Sequence, residues 1–232
     1  MTLVYLPSPG PNAWQQFLAD PDLQWKDGYS AKTLARSWEA ANGLPPEIEA
    51  ALGPAIGPSK LLLALPEHKV PLPGGRRASQ CDVFALVRGV PGLVAVAVEG
   101  KVDEDFGPTV AEWRLSDTDG RRERLEFIRG KLGLAAPVGG ELRYQLLHRA
   151  VSAVIEAERF SAVAAGMVVH SFSERLAHFD DFARFVRAMG GGDSVEPGAP
   201  LTIHISGERP LHLAWACGDP QFLQRDVPLA TL

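Results

Sequence analysis

Apolar residues recur along this chain in two periods, and the switches between them outline its elements. Leu34, Trp38 and Ala41 stand at helical spacing behind Ser30, a suitable N-cap, so a helix is expected from Ala31 to about Asn42, where Gly43 ends it. Pro45-Pro46 restart a short helical piece through Leu52. Lys60 to Leu65 is a short apolar run, read as a strand that Pro66 stops, and Pro71 to Arg77 is a loop rich in Pro, Gly and Arg. Gln80 to Arg88 and Leu93 to Lys101 are the clearest strands, joined by the turn-forming Gly89-Val90-Pro91-Gly92. Val102 to about Asp119 is irregular. An amphipathic helix follows from Arg121 to Leu132, then a long one from Glu141 to Phe160. Ala162 to His170 is apolar throughout and reads as a buried strand. Asp181 to Met189 is helical, and Leu201 to Ile205 with Leu211 to Ala216 makes a second hairpin. The expected order is α-β-β-β-(insert)-α-β-α-β-β, an α/β fold with a mixed central sheet flanked by helices, read as one domain over 1–232.

The register of the first hairpin follows from its loop. With Gly89 to Gly92 as the turn, Arg88 faces Leu93 and Asp82 falls opposite Glu99. Directly opposed residues share a face, with Cβ atoms roughly 5 Å apart. Lys101, two residues past Glu99, lies on that face as well. Phe84, Leu86, Ala95 and Ala97 continue it, while Val83, Ala85, Val87, Val94, Val96 and Val98 form the other. A hairpin apolar on both faces belongs in the middle of a covered sheet. Two carboxylates opposed there repel each other and call for a cation; hard oxygen donors suit Mg²⁺ or Mn²⁺.

Asp82 on one strand and Glu99-Gly100-Lys101 on the next make the chain resemble the PD-(D/E)XK, or restriction-endonuclease-like, nuclease superfamily. The α-β-β-β-α-β order over residues 31–170, about 60% of the chain, is similar to its core. The segment from Val98 to Pro108 (VEGKVDEDFGP) also resembles a bacterial family of unknown function within that superfamily. Cys81 stands where the motif has proline, and the helical insert at about 102–134 and the C-terminal hairpin are outside the core. The resemblance implies a metal-dependent phosphodiester hydrolase. Asp82, Glu99 and the Gly100 carbonyl would hold Mg²⁺ or Mn²⁺, and Lys101 would orient water and neutralise the transition state. It implies a further carboxylate from the first helix, Glu39, and substrate-binding residues on the second core helix, Gln145 and Arg149. The partner would be DNA or RNA. The alternative is a non-catalytic module of the same fold that binds nucleic acid or a partner protein.

Composition narrows this little. A net charge of −5 argues against a general nucleic-acid coat but leaves room for a local basic patch: Arg76-Arg77, or Arg121, Arg122, Arg124, Arg129 and Lys131 of the insert helix. Two cysteines, Cys81 and Cys217, without C-x-x-C spacing fit a reducing compartment and exclude a cysteine zinc site. The first seven residues lack a signal-peptide pattern and no apolar run spans a bilayer, so a cytoplasmic location is expected. Gln145, Arg149, Ser152 and Glu156 form a polar stripe along the long helix, equally suited to the site and to solvent. The second E-x-K, Glu67-His68-Lys69, follows Pro66 and is read as loop, with no strand to carry it. His204 and His212 are expected as cross-strand neighbours about a turn at Glu208; that pair lacks a third ligand, so a polar outer face is the better reading. Oligomeric state is open.

Overall fold

A computed structural model describes residues 8–205 and 209–224; the first seven residues and the turn at Glu208 lie outside them. One six-stranded mixed sheet runs through the fold in the order β1-β2-β3-β4-β6-β5. Its strands are β1 (Lys60–Val70), β2 (Ser79–Arg88), β3 (Leu93–Lys101), β4 (Ala164–Ser171), β5 (Leu201–His204) and β6 (Pro210–Cys217). The helices, in chain order, are α1 (Pro21–Gln24), α2 (Ser30–Ala41), α3 (Pro46–Ile56), α4 (Val110–Trp113), α5 (Asp119–Leu132), α6 (Tyr144–Arg159) and α7 (Phe179–Ala188). β3, β4 and β6 run parallel; β1–β2, β2–β3 and β5–β6 are antiparallel.

The alternation in the first hairpin separates two cores. Phe84, Leu86, Ala95 and Ala97 pack with Leu146, Leu147, Ala150 and Val151 of α6. Val83, Ala85, Val87, Val94, Val96 and Val98 pack with Leu34 and Trp38 of α2 and Ile48 and Leu52 of α3. The hairpin register is the expected one, from Arg88–Leu93 down to Val83–Val98.

Several expectations are corrected. β1 does not stop at Pro66 but pairs through it, Pro66 with Val83 and His68 with Cys81, because β1 is the sheet's edge and an edge strand tolerates a residue without an N–H. Glu67-His68-Lys69 therefore lies on a strand. Tyr29, not Ser30, is the N-cap of α2; the Ser30 N–H is held instead by Glu104 Oε1 at 2.9 Å. In the last hairpin His212 pairs with Thr202 and His204 with Pro210, so the two histidines are not directly opposed. The α6 stripe is not solvated: Arg149, Ser152 and Glu156 are all buried. No described helix is long and apolar enough to cross a membrane.

Candidate active site

At the open end of the first hairpin, beyond the last ladder pair, Asp82 turns one carboxylate oxygen back onto β3. Its Oδ2 accepts from the Gly100 N–H at 2.7 Å. Gly100 suits this place because a Cβ there would stand 3.0 Å from Leu34 Cδ2 and 3.4 Å from Asp82 Oδ2. Glu99 and Lys101 flank it and point to the α6 side. The Lys101 ammonium lies 2.9 Å from Glu99 Oε1, 3.2 Å from Gln145 Oε1 and 5.1 Å from the Phe106 ring centroid. One helical turn after Gln145, Arg149 donates from Nε to Glu99 Oε2, and its Nη2 stands 3.7 Å from Asp82 Oδ1.

A second layer fixes that guanidinium. Arg149 Nη1 lies 3.3 Å from both Ser79 Oγ and His148 Nδ1, and Ser79 Oγ lies 2.9 Å from the same Nδ1. A guanidinium only donates, so Nδ1 is an acceptor and His148 is neutral with its proton on Nε2. Burial, then the charge of Arg149, pushes the His148 pKa well down. The Tyr144 ring lies 4.9 Å from the His148 ring and is itself stacked on Trp113 at 4.0 Å.

The structure thus brings together Asp82, Glu99, Lys101, Gln145 and Arg149. Glu39 is not among them. Its Oε1 accepts from Trp14 Nε1 at 2.7 Å, and it lines a cavity of about 350 Å³ with Trp14, Trp38, Leu61 and Leu63. Glu39 faces away because α2 turns its apolar stripe to the sheet, and Leu34 is the α2 side chain that reaches Gly100. The acidic run after Lys101 is structural. Glu104 ties Val102 N–H to Ser30 N–H, Asp103 accepts from Ser173 Oγ, and Asp105 accepts from Gly107 N–H. In the insert helix, Arg124 is buried on the carbonyls of Leu72, Pro73 and Gly75, where it pins the loop before β2. Arg122 and Arg129 are tied to Asp117, Asp119 and Glu126.

One residue of the cluster escapes sequence reasoning. The pairs Pro66–Val83 and His68–Cys81 bracket Glu67, which puts it level with Asp82 of the neighbouring strand, just as Asp82 lies one step beyond the last β2–β3 pair, Val83–Val98. Three acids thus cross three adjacent strands. Glu67 has φ 51°, a left-handed backbone that side-chain-bearing residues adopt at a cost. Its Oε2 accepts from Gln80 Nε2 at 2.6 Å.

The electrostatics follow from three carboxylates sharing two cations. Burial, then repulsion from Glu99 and Glu67, raises the Asp82 pKa well above the usual carboxylate range. Burial opposes ionisation of Glu99 too, but Arg149 and Lys101 hold its pKa low. Burial pushes Lys101 down, yet Glu99 and Asp82 more than reverse this, so it stays charged. Glu67, against burial and with Gln80 and Arg149 as partial relief, rises to about 7. Access is through Asp82: 22% of its side chain is exposed, against 2% for Glu99 and 7% for Lys101 and Arg149.

The donor set has the chemistry for a hard divalent ion but not, as arranged, the vacancies. Glu99 gives both oxygens to Lys101 and Arg149, Asp82 gives one to Gly100, and no group of three or more acidic, His or Cys ligands gathers among the described residues. An ion does not fit while Arg149 holds Glu99.

Comparison with curated proteins and with solved structures finds no match. A family match does exist, and it spans residues 7–220 with the description "domain of unknown function". Since that covers both hairpins, the insert and all of α6, the chain belongs to the DUF6946 family.

Proposed function

We propose that the chain is a phosphodiester hydrolase of the restriction-endonuclease-like kind, a nuclease that works with Mg²⁺ or Mn²⁺ at Asp82, Glu99 and Lys101. The observation that carries this reading is the convergence of those three with Gln145 at one partly open end of the β2–β3 hairpin. Lys101 supports it further. An ammonium kept charged in a buried place, steered by Gln145 and Glu99, is a fixed positive charge for an anionic phosphate, not a proton acceptor. A bound divalent ion supplies Lewis-acid stabilisation and an acidified water. The element order α2, β1, β2, β3, α6, β4 agrees with the superfamily's core.

A screen of single- and double-stranded DNA and RNA with both metals tests the reading. Cleavage should appear, and should vanish with chelator and with Glu99→Ala. The grip of Arg149 on Glu99 favours a second reading, a non-catalytic module of this fold that binds nucleic acid or a partner protein. Binding without cleavage beyond the Glu99→Ala control, across the screen, would establish that second reading.

A further inference from the structure

The two edges of the sheet are built differently. β5 has four residues, with the polar Thr202 and His204 alternating along it, so it offers another strand little to pair with. β1 has eleven residues and carries no charge from Leu61 to Leu65. Its inner side pairs with β2; among the described residues no main-chain hydrogen bond reaches its outer side. A long apolar edge of this kind is a template for a further strand. Leu62 is 42% exposed and stands outside the ladder, which steps from Leu61–Val87 to Leu63–Leu86. The cavity already described opens along the same stretch, lined by Leu61, Ala64 and Pro66 of β1 and by Trp14 and Trp38. Two opposite charges at the ends of the stretch lack a partner. Lys60 is exposed and in no ion pair among the described residues. Glu67 accepts from Gln80 and has no cation within ion-pair distance there.

We propose that β1 pairs antiparallel with the β1 of a second copy of this chain, about a two-fold axis through Ala64, so that Lys60 of each copy meets Glu67 of the other. A two-fold contact must be self-complementary, and the register shows that this one is. With Leu62 outside the ladder, as it is toward β2, Ala64 faces Ala64, Leu63 faces Leu65, Leu61 faces Pro66 and Lys60 faces Glu67. Opposed residues share a face. Here Leu63 and Leu65 both belong to the α6 side, while Leu61 and Ala64 belong to the α2–α3 side with Pro66 on the same cavity wall. The neighbouring symmetric registers fail on charge. An axis through Leu65 sets Lys60 against Lys69, and one through Leu63 sets it against the apolar Leu65. Pro66 removes at most one hydrogen bond per copy, near the end of the pairing. The axis stands perpendicular to the sheet, so the carboxylate clusters of both copies lie on the same face of one continuous sheet. The contact is small, with an expected dissociation constant on the order of 10 µM; more dilute protein is a single chain.

Sedimentation of the full chain over a concentration series spanning that value gives the first test. Wild type should pass from monomer to dimer. Lys60→Glu opposes like charges twice and should weaken assembly about tenfold. Adding Glu67→Lys restores opposite charges and should recover it. Cross-linking reads the register without the charge variants, in a Cys217→Ser background because Cys217 is exposed. Under mild oxidation Ala64→Cys alone should give a covalent dimer, since the axis sets the two thiols face to face. Leu63→Cys alone and Leu65→Cys alone should not, but a mixture of those two should. A wild type that stays monomeric throughout the series overturns the proposal and leaves the edge to a partner of another kind. A dimer that Lys60→Glu leaves as strong as wild type also overturns it, by placing the contact elsewhere. So does a dimer in which Leu63→Cys alone cross-links as well as Ala64→Cys, because the register is then different.

Discussion

Two buried polar clusters lie back to back across the sheet, at the level where Gly100 pairs with His170. On the α2–α3 side His170 meets Glu47: Nε2 to Oε1 is 2.7 Å, with Ser37 Oγ 3.4 Å from the same oxygen. His170 Nδ1 is buried without a partner among the described residues, and burial keeps the ring's pKa low. Glu47 stays ionised because His170 and Ser37 outweigh its burial and 16% of its side chain is exposed. One anion is thus served by neutral dipoles and some water. On the α6 side three carboxylates and two full cations share a space in which Glu99 is 2% exposed. Buried ion pairs return little net stability, because desolvation consumes most of the Coulombic gain. The first cluster is what a fold needs to bury a polar residue. The second holds more charge than burial requires.

The comparison predicts very different costs for the same isosteric change. Glu99→Gln leaves Lys101 and Arg149 buried without their shared counter-ion, at a cost of about 3–5 kcal/mol. Glu47→Gln keeps an acceptor for the His170 N–H and removes a charge that water partly serves, at a cost of about 1 kcal/mol. Urea unfolding of both variants at pH 7 measures the difference. Equal losses would break the comparison and make the α6 cluster an ordinary structural network.

A smaller effect separates the clusters by pH. Glu67 titrates near 7 in the fold and near 4.5 when unfolded, a raised carboxylate. Its contribution is full below the unfolded value and is lost as pH rises through about 7, since the unfolded chain then gives up a proton that the fold retains. Glu67→Gln should therefore match wild type near pH 4 and be more stable at pH 8, by about 1–3 kcal/mol after allowing for partial exposure. Glu47→Gln should show no such gain, because the Glu47 pKa is lowered. Stability profiles from pH 4 to 8 check the sign; a Glu67→Gln variant weaker than wild type at pH 8 would mean that Glu67 already has a cation.

The sequence carried this hairpin because its turn chemistry sets the register, and register alone decides that Asp82, Glu99 and Lys101 share a face. Glu67 was hidden by a rule about position. Pro66 ends a strand in the interior of a sheet, but whether a strand is interior depends on partners far along the chain, and β1 proved to be the edge. Arg149 was legible as a member of the site, since it lies one turn from Gln145, but not as the residue that closes it. That contact needs the distance between α6 and β3, which no local pattern contains. Glu39 failed for the matching reason: α2 packs on the other core, where its polar side meets Trp14.

The smallest effect lies on α5, where the same residue type does three jobs within four positions. Arg124 is a strut, buried on three backbone carbonyls. Arg121 lies over the Trp113 ring at 5.0 Å. Arg122 is half exposed and already neutralised by Asp117 and Asp119. Reversing all three together would confound a missing strut with a missing charge, so Arg122→Glu is the clean probe of this face. Exposed pairs contribute little, and stability should change by no more than about 0.5 kcal/mol. If a phosphate backbone crosses this face, removing one arginine–phosphate pair lowers the salt slope of binding by about one. Affinity for a single-stranded and a double-stranded oligonucleotide, measured across a salt series, reads that slope. A slope lower than wild type places the substrate path over α5, on the side where Trp113 and Tyr144 lead back to His148 and Arg149. An unchanged slope confines recognition to the carboxylate cluster itself, and the acids around Arg122 then serve to switch off a basic surface that the site does not use.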